Sequence, residues 1–228
     1  MENNIVSPQI ATLLQQSSAR HDHLCPRQVL GVRIGLAGLD ALGLSAPVSK
    51  KSALVIIETD GCFADGIEIA SGATVGHRTL RINDLGKIAA TFVDVNTRQA
   101  VRISPALDAR RRALCYAPDE PRHYFAQLLA YQIMPPEDLL QTRQVILDPP
   151  LEVLLSRPGV RVDCAICGEE IINERQVIVE GVVLCRTCAN QGYYTTAETY
   201  AWQDGLTGLG GSARSVRPSK THLAYSGS

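Results

Sequence analysis

The sequence predicts an α+β fold, in which a mostly antiparallel sheet carries flanking helices and a small cysteine-rich module follows. Segments with apolar residues at helical spacing stand at both ends of residues 1–155, and short runs rich in β-branched residues lie between them. Two of these runs, KIAATFVDVN and QAVRIS, alternate like neighbouring antiparallel strands. The composition then becomes rich in cysteine. We therefore assign residues 1–155 to an α+β core domain and residues 160–200 to a four-cysteine module.

The composition excludes several classes of protein. Of the 228 residues, 45% are hydrophobic and 20% are charged, which supplies a core and excludes a disordered chain. The net charge of −1 gives no general attraction to nucleic acid or to an anionic membrane. No stretch approaches the roughly 20 apolar residues of a membrane span, and MENNIVSPQI lacks the features of a signal peptide. We therefore expect a cytoplasmic protein whose reduced cysteines are metal ligands, reactive thiols or core residues.

Two helices are predicted near the start of the chain. The first lies in SPQIATLLQQSSAR, where Ser precedes Pro, and the second in PRQVLGVRIGLAGLDALGL, which opens with Pro26 and ends at Gly43. Gly31, Gly35 and Gly38 lie on one side of the second helix. Because glycine costs about 1 kcal/mol in a helix interior, we expect another backbone or a bound group to pack closely there.

The middle of the core domain contains the predicted sheet. ALVIIET, residues 53–59, is a buried strand that leads into DGCFADG and a short helix, which breaks at Gly72. The further predicted elements are, in order, strands in TLRIND, KIAATFVDVN and QAVRIS, helices in PALDARRRALCYA, EPRHYFAQLLAYQI and PPEDLLQT, and a last strand in RQVILDPP.

A linker and a C-terminal tail are also predicted. Prolines in DPPLEVLLSRPG mark a linker between the core domain and the cysteine-rich module. Residues 205–228 are rich in Gly and Ser and lack apolar periodicity. We expect this tail to be disordered or to order only against a partner.

The strongest motif consists of two C-x2-C pairs, Cys164 with Cys167 and Cys185 with Cys188. Seventeen residues separate the pairs, which is a spacing expected of four thiolates around one zinc ion. Gly168 relaxes the turn after the first pair, and RQVIVEGVVLC predicts a β-hairpin that brings the second pair alongside.

This finger is expected to be structural and to have a treble-clef or ribbon-like fold. The module has too small a core to fold alone, so the metal supplies the folding energy. A closed four-cysteine site has no open coordination position for catalysis. Between Cys164 and Cys188 the only basic residues are Arg175 and Arg186, so a protein or dimer partner is favoured over DNA.

A second cluster of metal-ligating residues lies in RHDHLCPRQ, where His21, His23 and Cys25 occupy every second position. In an extended segment they share one face, about 7 Å apart per step of two residues. A straight strand cannot bring all three to one ion, so a metal site needs the bend that the helix start at Pro26 provides. The alternative is a polar segment exposed to solvent, and this stretch alone leaves both open.

A third cluster, Asp60, Cys62 and Asp65, lies at the predicted strand-to-helix turn. A helix N-terminus stabilises a thiolate, so Cys62 is a candidate nucleophile or soft metal ligand. The alternative is a small buried residue that packs under the helix. Histidine and cysteine from one segment with cysteine from another suit Zn, Fe, Ni or Cu.

These segments resemble the family of the E subunit of formylmethanofuran dehydrogenase, whose members carry an H-G-H-x-C-P segment and a later D-x-C-x-x-D segment. The resemblance covers residues 15–105 and extends more loosely to the four-cysteine finger, which many members have. The matching residues are His21, His23, Cys25 and Pro26 in the first segment, with Asp22 in place of glycine, and Asp60, Cys62 and Asp65 in the second. In TVGHRTLRINDLGKIAATF, the carried-over positions are Gly76, Asp84, Gly86 and Lys87.

The resemblance implies a core like the C-terminal domain of glyceraldehyde-3-phosphate dehydrogenase, a homodimer, and a metal or ligand cavity lined by these His and Cys residues. Lys87 is carried over as a cofactor-binding candidate. The resemblance does not imply the dehydrogenase reaction, because in the methanogen complex the redox chemistry belongs to a separate protein that carries molybdopterin or tungstopterin.

Three functional hypotheses follow, and the sequence leaves open whether the protein is an enzyme. In the first, His23, Cys25 and Cys62 bind a transition metal, with Zn expected first and Fe or Ni as alternatives. His21 completes or orients the shell, and Asp60 or Asp65 supports it or acts as a base, so Cys62, Asp60, Asp65 and His21 are the catalytic candidates. The second hypothesis is a non-enzymatic accessory protein for a molybdenum or tungsten enzyme, which docks through the finger. In the third, Cys25 and Cys62 are a redox thiol pair without metal.

Overall fold

The computed structural model describes residues 5–21, 23–48 and 51–194, and the chain divides into two compact units, Met1–Ser156 and Arg157–Ser228. The elements of the first unit are α1 (Pro8–Ser18), α2 (Pro26–Asp40), β1 (Ala53–Ile57), α3 (Cys62–Ser71), β2 (Leu80–Ile82), β3 (Ala90–Asp94), β4 (Ala100–Pro105), α4 (Ala109–Tyr116), α5 (His123–Ile133), α6 (Pro136–Leu139), β5 (Leu140–Gln144) and α7 (Leu151–Leu155). Those of the second unit are β6 (Arg161–Asp163), β7 (Glu170–Ile172), β8 (Val177–Val179) and β9 (Val182–Leu184). The tail at 205–228 lies outside the described residues.

Helices α1 and α2 have the ends that their sequences predict. Ser7 caps α1, because its hydroxyl oxygen accepts a hydrogen bond from the N–H of Ile10 at 3.3 Å. After α2, Gly43 is left-handed with a φ of 68°, and the N–H groups of Gly43 and Leu44 bond to carbonyls of the last turn. These two bonds form a Schellman motif, which ends the helix at the glycine that the sequence marks.

Helices α2 and α3 pack backbone against backbone. A Cβ atom added to Gly31 would lie 2.4 Å from the carbonyl oxygen of Phe63 and 2.9 Å from the Cα of Gly66. One added to Gly35 would lie 2.7 Å from the Cβ of Ala70. The predicted close approach of another backbone is confirmed at Gly31, whereas the close neighbour of Gly38 is the Phe92 ring. Since the contacting positions advance together along both helices, α2 and α3 run parallel and their N-termini lie side by side.

The described residues of the first unit form a five-stranded mixed sheet in the order β2-β1-β3-β4-β5. Strand β1 pairs in parallel with β2, whereas the pairs β1–β3, β3–β4 and β4–β5 are antiparallel. One face packs on the helices through the fully buried Val55, Phe92 and Ile103. The α+β class is therefore confirmed, as is the antiparallel pairing of KIAATFVDVN with QAVRIS.

The second face of the sheet is covered in part by α7. Leu54 and Val93 form a small cluster there with Leu151 of that helix. Farther along the same face, Arg102 donates to the carboxylate of Glu58 from Nε at 2.5 Å and from Nη2 at 2.7 Å. Glu58 is buried and Arg102 is partly exposed, and this bidentate pair joins β4 to the end of β1.

Helix α5 is joined to α2 by a buried arginine. The Arg33 guanidinium donates from Nη1 to the carbonyl of Tyr131 at 2.8 Å and from Nη2 to that of Met134 at 2.6 Å. These carbonyls lie at the C-terminal end of α5, where the helix dipole favours a positive charge.

The last strand of the first unit lies earlier in the chain than the sequence predicts. The prediction placed it in RQVILDPP, but β5 is Leu140–Gln144 and pairs with β4, and Ile146 is 99% exposed. Helix α6 begins at Pro136 and ends at Leu139, and β5 begins at the next residue. Pairing with β4, which local sequence does not reveal, fixes the strand.

The second unit consists of two small antiparallel pairs, β6 with β7 and β8 with β9. Glu180 and Gly181 join β8 to β9, and both have positive φ, at 50° and 81°. Two successive positive φ angles are typical of a type I′ hairpin turn. The predicted hairpin, with its turn at Glu-Gly, is confirmed. Within the described residues, no helix has the length and apolar character that crossing a membrane requires.

Candidate functional site: a four-cysteine cluster and a pair of helix-terminal thiols

The four cysteines of the second unit converge on one point. The sulfur atoms of Cys164, Cys167, Cys185 and Cys188 all lie within 4.8 Å of one another, and the Cys167 and Cys185 sulfurs are 3.9 Å apart. Four sulfurs arranged tetrahedrally at about 2.3 Å from one ion are about 3.8 Å apart. The thiols therefore fit a four-coordinate metal ion, and they form the only group of three or more His, Cys, Asp or Glu ligand atoms this close in the described chain.

Main-chain donors shape the cluster. Gly168, with a φ of 74°, turns the chain after the first cysteine pair. The N–H of Ala165 donates to the carbonyl of Val183 at 2.9 Å, and the N–H of Cys185 donates to the Cys164 sulfur at 3.3 Å. These bonds join the first cysteine turn to the hairpin that carries the second pair.

The cysteines of the cluster differ in their acidity. Burial raises the pKa of Cys164, but N–H groups of Cys167, Cys185 and Ile166 outweigh it and lower this pKa to about 6. At Cys188, burial and then the neighbouring thiols raise the pKa to about 12. A bound metal ion would compensate the charge that these neighbouring thiols carry when they are deprotonated.

In the first unit, Cys25 is buried at the N-cap of α2. Its sulfur accepts a hydrogen bond from the N–H of Gln28 at 3.4 Å, and the Gln28 side-chain oxygen accepts one from the N–H of Cys25 at 2.9 Å. The Gln28 amide also donates to the carbonyl of Ser17 at 3.1 Å. Cys25 thus takes the place of the usual serine in a capping box, and its thiol is held at the positive end of α2.

Cys62 is the first residue of α3, directly after Gly61, whose φ is 71°. Burial raises the pKa of the Cys62 thiol, and the neighbouring Cys25 thiol raises it further. The structure thus brings together two thiols from segments 37 residues apart, at the adjoining N-termini of parallel helices. A bound cation would reverse the mutual repulsion of their charged forms.

His21 is paired with a carboxylate on α3. Its Nε2 lies 2.6 Å from an oxygen of Asp65, one turn beyond Cys62, and Arg20 donates to the other oxygen of Asp65 at 3.3 Å. Arg20 also donates to Glu68 at 2.7 Å. In the neutral tautomer that donates from Nε2 to Asp65, Nδ1 is an acceptor, and a carboxylate on one ring nitrogen is common among metal-bound histidines.

Other residues from the sequence motifs lie at the surface. His23, Asp60 and Lys87 are exposed. Asp84 accepts a hydrogen bond from the N–H of Gly86 at 3.0 Å, so these two matched positions form a turn. This turn supplies a structural reason for their occurrence in the third motif.

No complete set of metal ligands is assembled in the described part of the first unit. Among its residues, no three ligand atoms of His, Cys, Asp or Glu lie within 4.8 Å of one another. What the structure brings together is a pair of thiols, Cys25 with Cys62, and a histidine–carboxylate pair, His21 with Asp65.

Tyr124 is a neighbour of the thiol pair that the sequence does not reveal. It is the second residue of α5. Burial raises the pKa of its phenol, and the charges of Cys25 and Cys62 raise it further. In the sequence, Tyr124 is one aromatic residue in an amphipathic helix, and no local signal marks it. The sequence does not reveal the role of Arg20 either, because its acidic partners lie on α3, more than 40 residues away.

Two comparisons describe similar proteins. The chain is 33% identical over 97 residues to a "Probable S-adenosyl-L-methionine-binding protein" of Archaeoglobus fulgidus. That match covers 41% of this chain and 26% of the relative, so it spans about a quarter of the relative's length. The crystal structure of a tungsten formylmethanofuran dehydrogenase FmdE-like protein from Syntrophus aciditrophicus matches with a TM-score of 0.53, at 19% identity, over 82% of this chain and 95% of that one. At this identity the likeness concerns the fold.

The family comparison covers the part of the chain that carries the thiol pair. The family described as "FmdE, Molybdenum formylmethanofuran dehydrogenase operon" matches residues 20–146, more than half of the 228-residue chain. This range contains both His/Cys segments and the whole five-stranded sheet. The chain therefore belongs to the FmdE family, as its sequence motifs predict.

Proposed function

We propose that this protein is a metal-binding member of the FmdE family, with a transition-metal or ligand site at Cys25 and Cys62 and a structural zinc ion at the four-cysteine cluster. The observation that carries the core site is the meeting of two thiols at the N-termini of parallel helices. Sulfur ligands favour a soft or borderline metal. Helix N-termini lower the cost of holding these ligands as thiolates.

The proposal of zinc in the finger rests on ligand type and geometry. Zinc commonly takes four thiolates in a tetrahedron, and the sulfur separations fit that arrangement. All four positions would then be filled by protein, so the ion stabilises the fold and does no chemistry. We further propose that the unit adopts a treble-clef or ribbon-like finger.

In the core site, we propose that Cys25 and Cys62 are direct ligands and that a histidine completes the shell. Nε2 of His21 contacts a carboxylate oxygen of Asp65, so Nδ1 is the ring nitrogen that would bind the ion. His23 precedes α2 on the same segment and is the other candidate. Zn is the first choice, with Fe or Ni as alternatives. Asp60 and Asp65 are candidates for a base if the site is catalytic, and Lys87 for ligand binding.

The family resemblance supports further expectations. We propose a homodimer, a core related to the C-terminal domain of glyceraldehyde-3-phosphate dehydrogenase, and a cytoplasmic location. A reducing compartment would keep both sets of thiols available to metals, whereas an oxidising one would favour disulfides.

The core site is tested by measuring metal per chain in purified wild-type protein and in Cys62→Ala and Cys25→Ala. Each of these variants is expected to lose one ion per chain and to keep the ion of the finger. Cys115→Ala is the matched control, because Cys115 is an exposed free thiol on α4. Equal metal content in wild type and Cys62→Ala would show that the core thiols bind no metal.

An accessory role is the second candidate, in which the finger docks onto a molybdenum or tungsten enzyme. Apolar side chains on the second unit support it, since Ile166 is 65% exposed, Ile178 58% and Tyr193 98%. The test is affinity purification of the tagged full-length protein, with molybdenum and tungsten measured in the eluate. Ile178→Glu should retain zinc and lose the co-purified metal, whereas equal recovery with this variant would contradict docking through the hairpin.

A further inference from the structure

A cavity of about 900 Å³ lies along the C-terminal half of α2, away from the thiol pair at the N-terminus of that helix. Four of its lining residues share one helix face at spacings of three, four and seven: Arg33, Leu36, Ala37 and Asp40. We call this space the α2 cavity. Its other walls include Ile10 of α1 and Leu140 of β5. Its size lies in the range of small-molecule sites, and its lining offers apolar and polar surface in similar amounts.

Arg33 is the unusual feature of this cavity. The residue is only 6% exposed, yet no carboxylate in the described chain lies within 4.0 Å of its guanidinium. Its two Nη donors bond to carbonyls of Tyr131 and Met134, while its Nε–H has no hydrogen-bond partner among the described residues. Fully buried arginines are rare without an anionic partner, because carbonyl dipoles replace only part of the lost hydration. Burial accordingly lowers the pKa of Arg33, and the charge of Glu137 offsets only part of this effect.

We propose that the α2 cavity binds an organic acid, with its carboxylate on Arg33 and its apolar body against Leu36, Ile10 and Leu140. A guanidinium binds carboxylates through charge-assisted hydrogen bonds of fixed geometry. Asp40 lies seven residues beyond Arg33, about 10 Å along the helix. Its negative charge repels a carboxylate at that end of the cavity, so the ligand has one orientation. This inference is independent of the thiol site and its metal.

A purely structural role for Arg33, as the cap of α5, makes a different prediction. A cap explains the two carbonyl bonds, but it gives the cavity no preference for negatively charged ligands. The charge dependence of binding therefore separates the two roles.

The test uses full-length protein and three probes with the same eight-carbon body: octanoate, 1-octanol and octylamine. Binding is measured by saturation-transfer NMR titration and by calorimetry. Octanoate is expected to bind saturably, at millimolar concentration or below, and at least about tenfold more tightly than the alcohol or the amine. No saturable binding of octanoate, or equal binding of octanol, would overturn the inference.

Variants locate the bound probe. Ala37→Phe fills the cavity while Arg33 and its carbonyl bonds remain, and should weaken octanoate binding about tenfold or more. Ala41→Phe, at an exposed position on the cavity wall, serves if the first variant does not fold. Arg33→Met should abolish the preference for octanoate over octanol. Cys115→Ala, which changes an exposed thiol on α4 outside the cavity lining, should bind octanoate like wild type. Loss of binding in Cys115→Ala, or unchanged binding in the cavity-filling variant that folds, would place the probe elsewhere and refute the site.

Discussion

Replacing Gly31 by alanine tests the packing that brings the two thiols together. The new methyl group would lie 2.4 Å from the carbonyl oxygen of Phe63 and 2.9 Å from the Cα of Gly66. Both are backbone atoms, so no side chain can rotate away to make room. Helices α2 and α3 must therefore move apart by about 1 Å to restore ordinary van der Waals contact, which needs a separation of about 3.5 Å.

The free energy of this change has two opposing parts. Alanine gains about 1 kcal/mol over glycine in helix propensity. Overpacking costs about 1–3 kcal/mol and sometimes more, and rigid backbone opposite the methyl favours the upper end. We expect a net loss of about 2 kcal/mol in the free energy of unfolding. For a domain of this size, that lowers the melting temperature by about 4–8 °C.

The assay is thermal and urea unfolding of Gly31→Ala followed by circular dichroism, together with its metal content. The variant should melt lower and bind less core metal, because Cys25 moves away from Cys62. Gly76→Ala is the matched control, since no atom lies within 4 Å of an added Cβ there and the φ angle is not positive. If Gly31→Ala is as stable as wild type, the close helix contact does not hold.

Three further predictions concern other parts of the chain. Arg102→Met leaves the buried Glu58 unpaired and should lower the free energy of unfolding, measured in urea, by about 3–5 kcal/mol. Adding Glu58→Met to the same chain should restore most of this loss. At Asp94, burial raises the pKa of the carboxyl, but the Asn96 N–H at 2.8 Å and the Thr97 hydroxyl at 2.9 Å outweigh it and lower this pKa. The charged carboxylate therefore stabilises the fold at neutral pH, and this stabilisation is lost as pH falls through the lowered pKa. Asp94→Asn should lower the free energy of unfolding by about 1 kcal/mol at pH 7 and by progressively less below about pH 4. Cys188→Ser should release the finger metal and expose residues 157–194 to proteolysis while residues 5–156 stay resistant.

Each of these predictions has a clear contradicting result. If Arg102→Met alone is as stable as Arg102→Met combined with Glu58→Met, an unpaired Glu58 does not destabilise the fold. A cost of Asp94→Asn that stays constant from pH 7 to pH 3 would mean that the charge of the carboxyl does not matter. Retention of metal and protease resistance by Cys188→Ser would mean that the four thiols are not one site.

The sequence predicts those parts of the fold whose signals are local. Ser7 and Gly43 mark helix ends through hydrogen bonds made within a few residues. Gly31 and Gly35 predict close packing because glycine has no other benefit inside a helix. The four-cysteine cluster is equally local, since one short hairpin brings its two pairs together.

The parts that the sequence does not predict depend on contacts between distant residues. Strand β5 is fixed by its pairing with β4, whereas the apolar run after it, with Ile146, is exposed. Arg20 pairs with Asp65 of α3, which lies 45 residues later in the chain. Tyr124 lies near the thiols of Cys62 and Cys25, about 60 and 100 residues before it. No pattern within one segment encodes such neighbours.

Metal-edge X-ray absorption of the purified wild-type protein tests the central claim most directly, because it counts sulfur ligands around the bound ions. With zinc in both sites, the account predicts two ions per chain and an average of about three sulfur neighbours per ion, near 2.3 Å, with nitrogen or oxygen completing the shells. The average combines four thiolates in the finger with Cys25 and Cys62 in the core. A single ion per chain with four sulfur neighbours would contradict the account, because it would leave the core thiols without a metal.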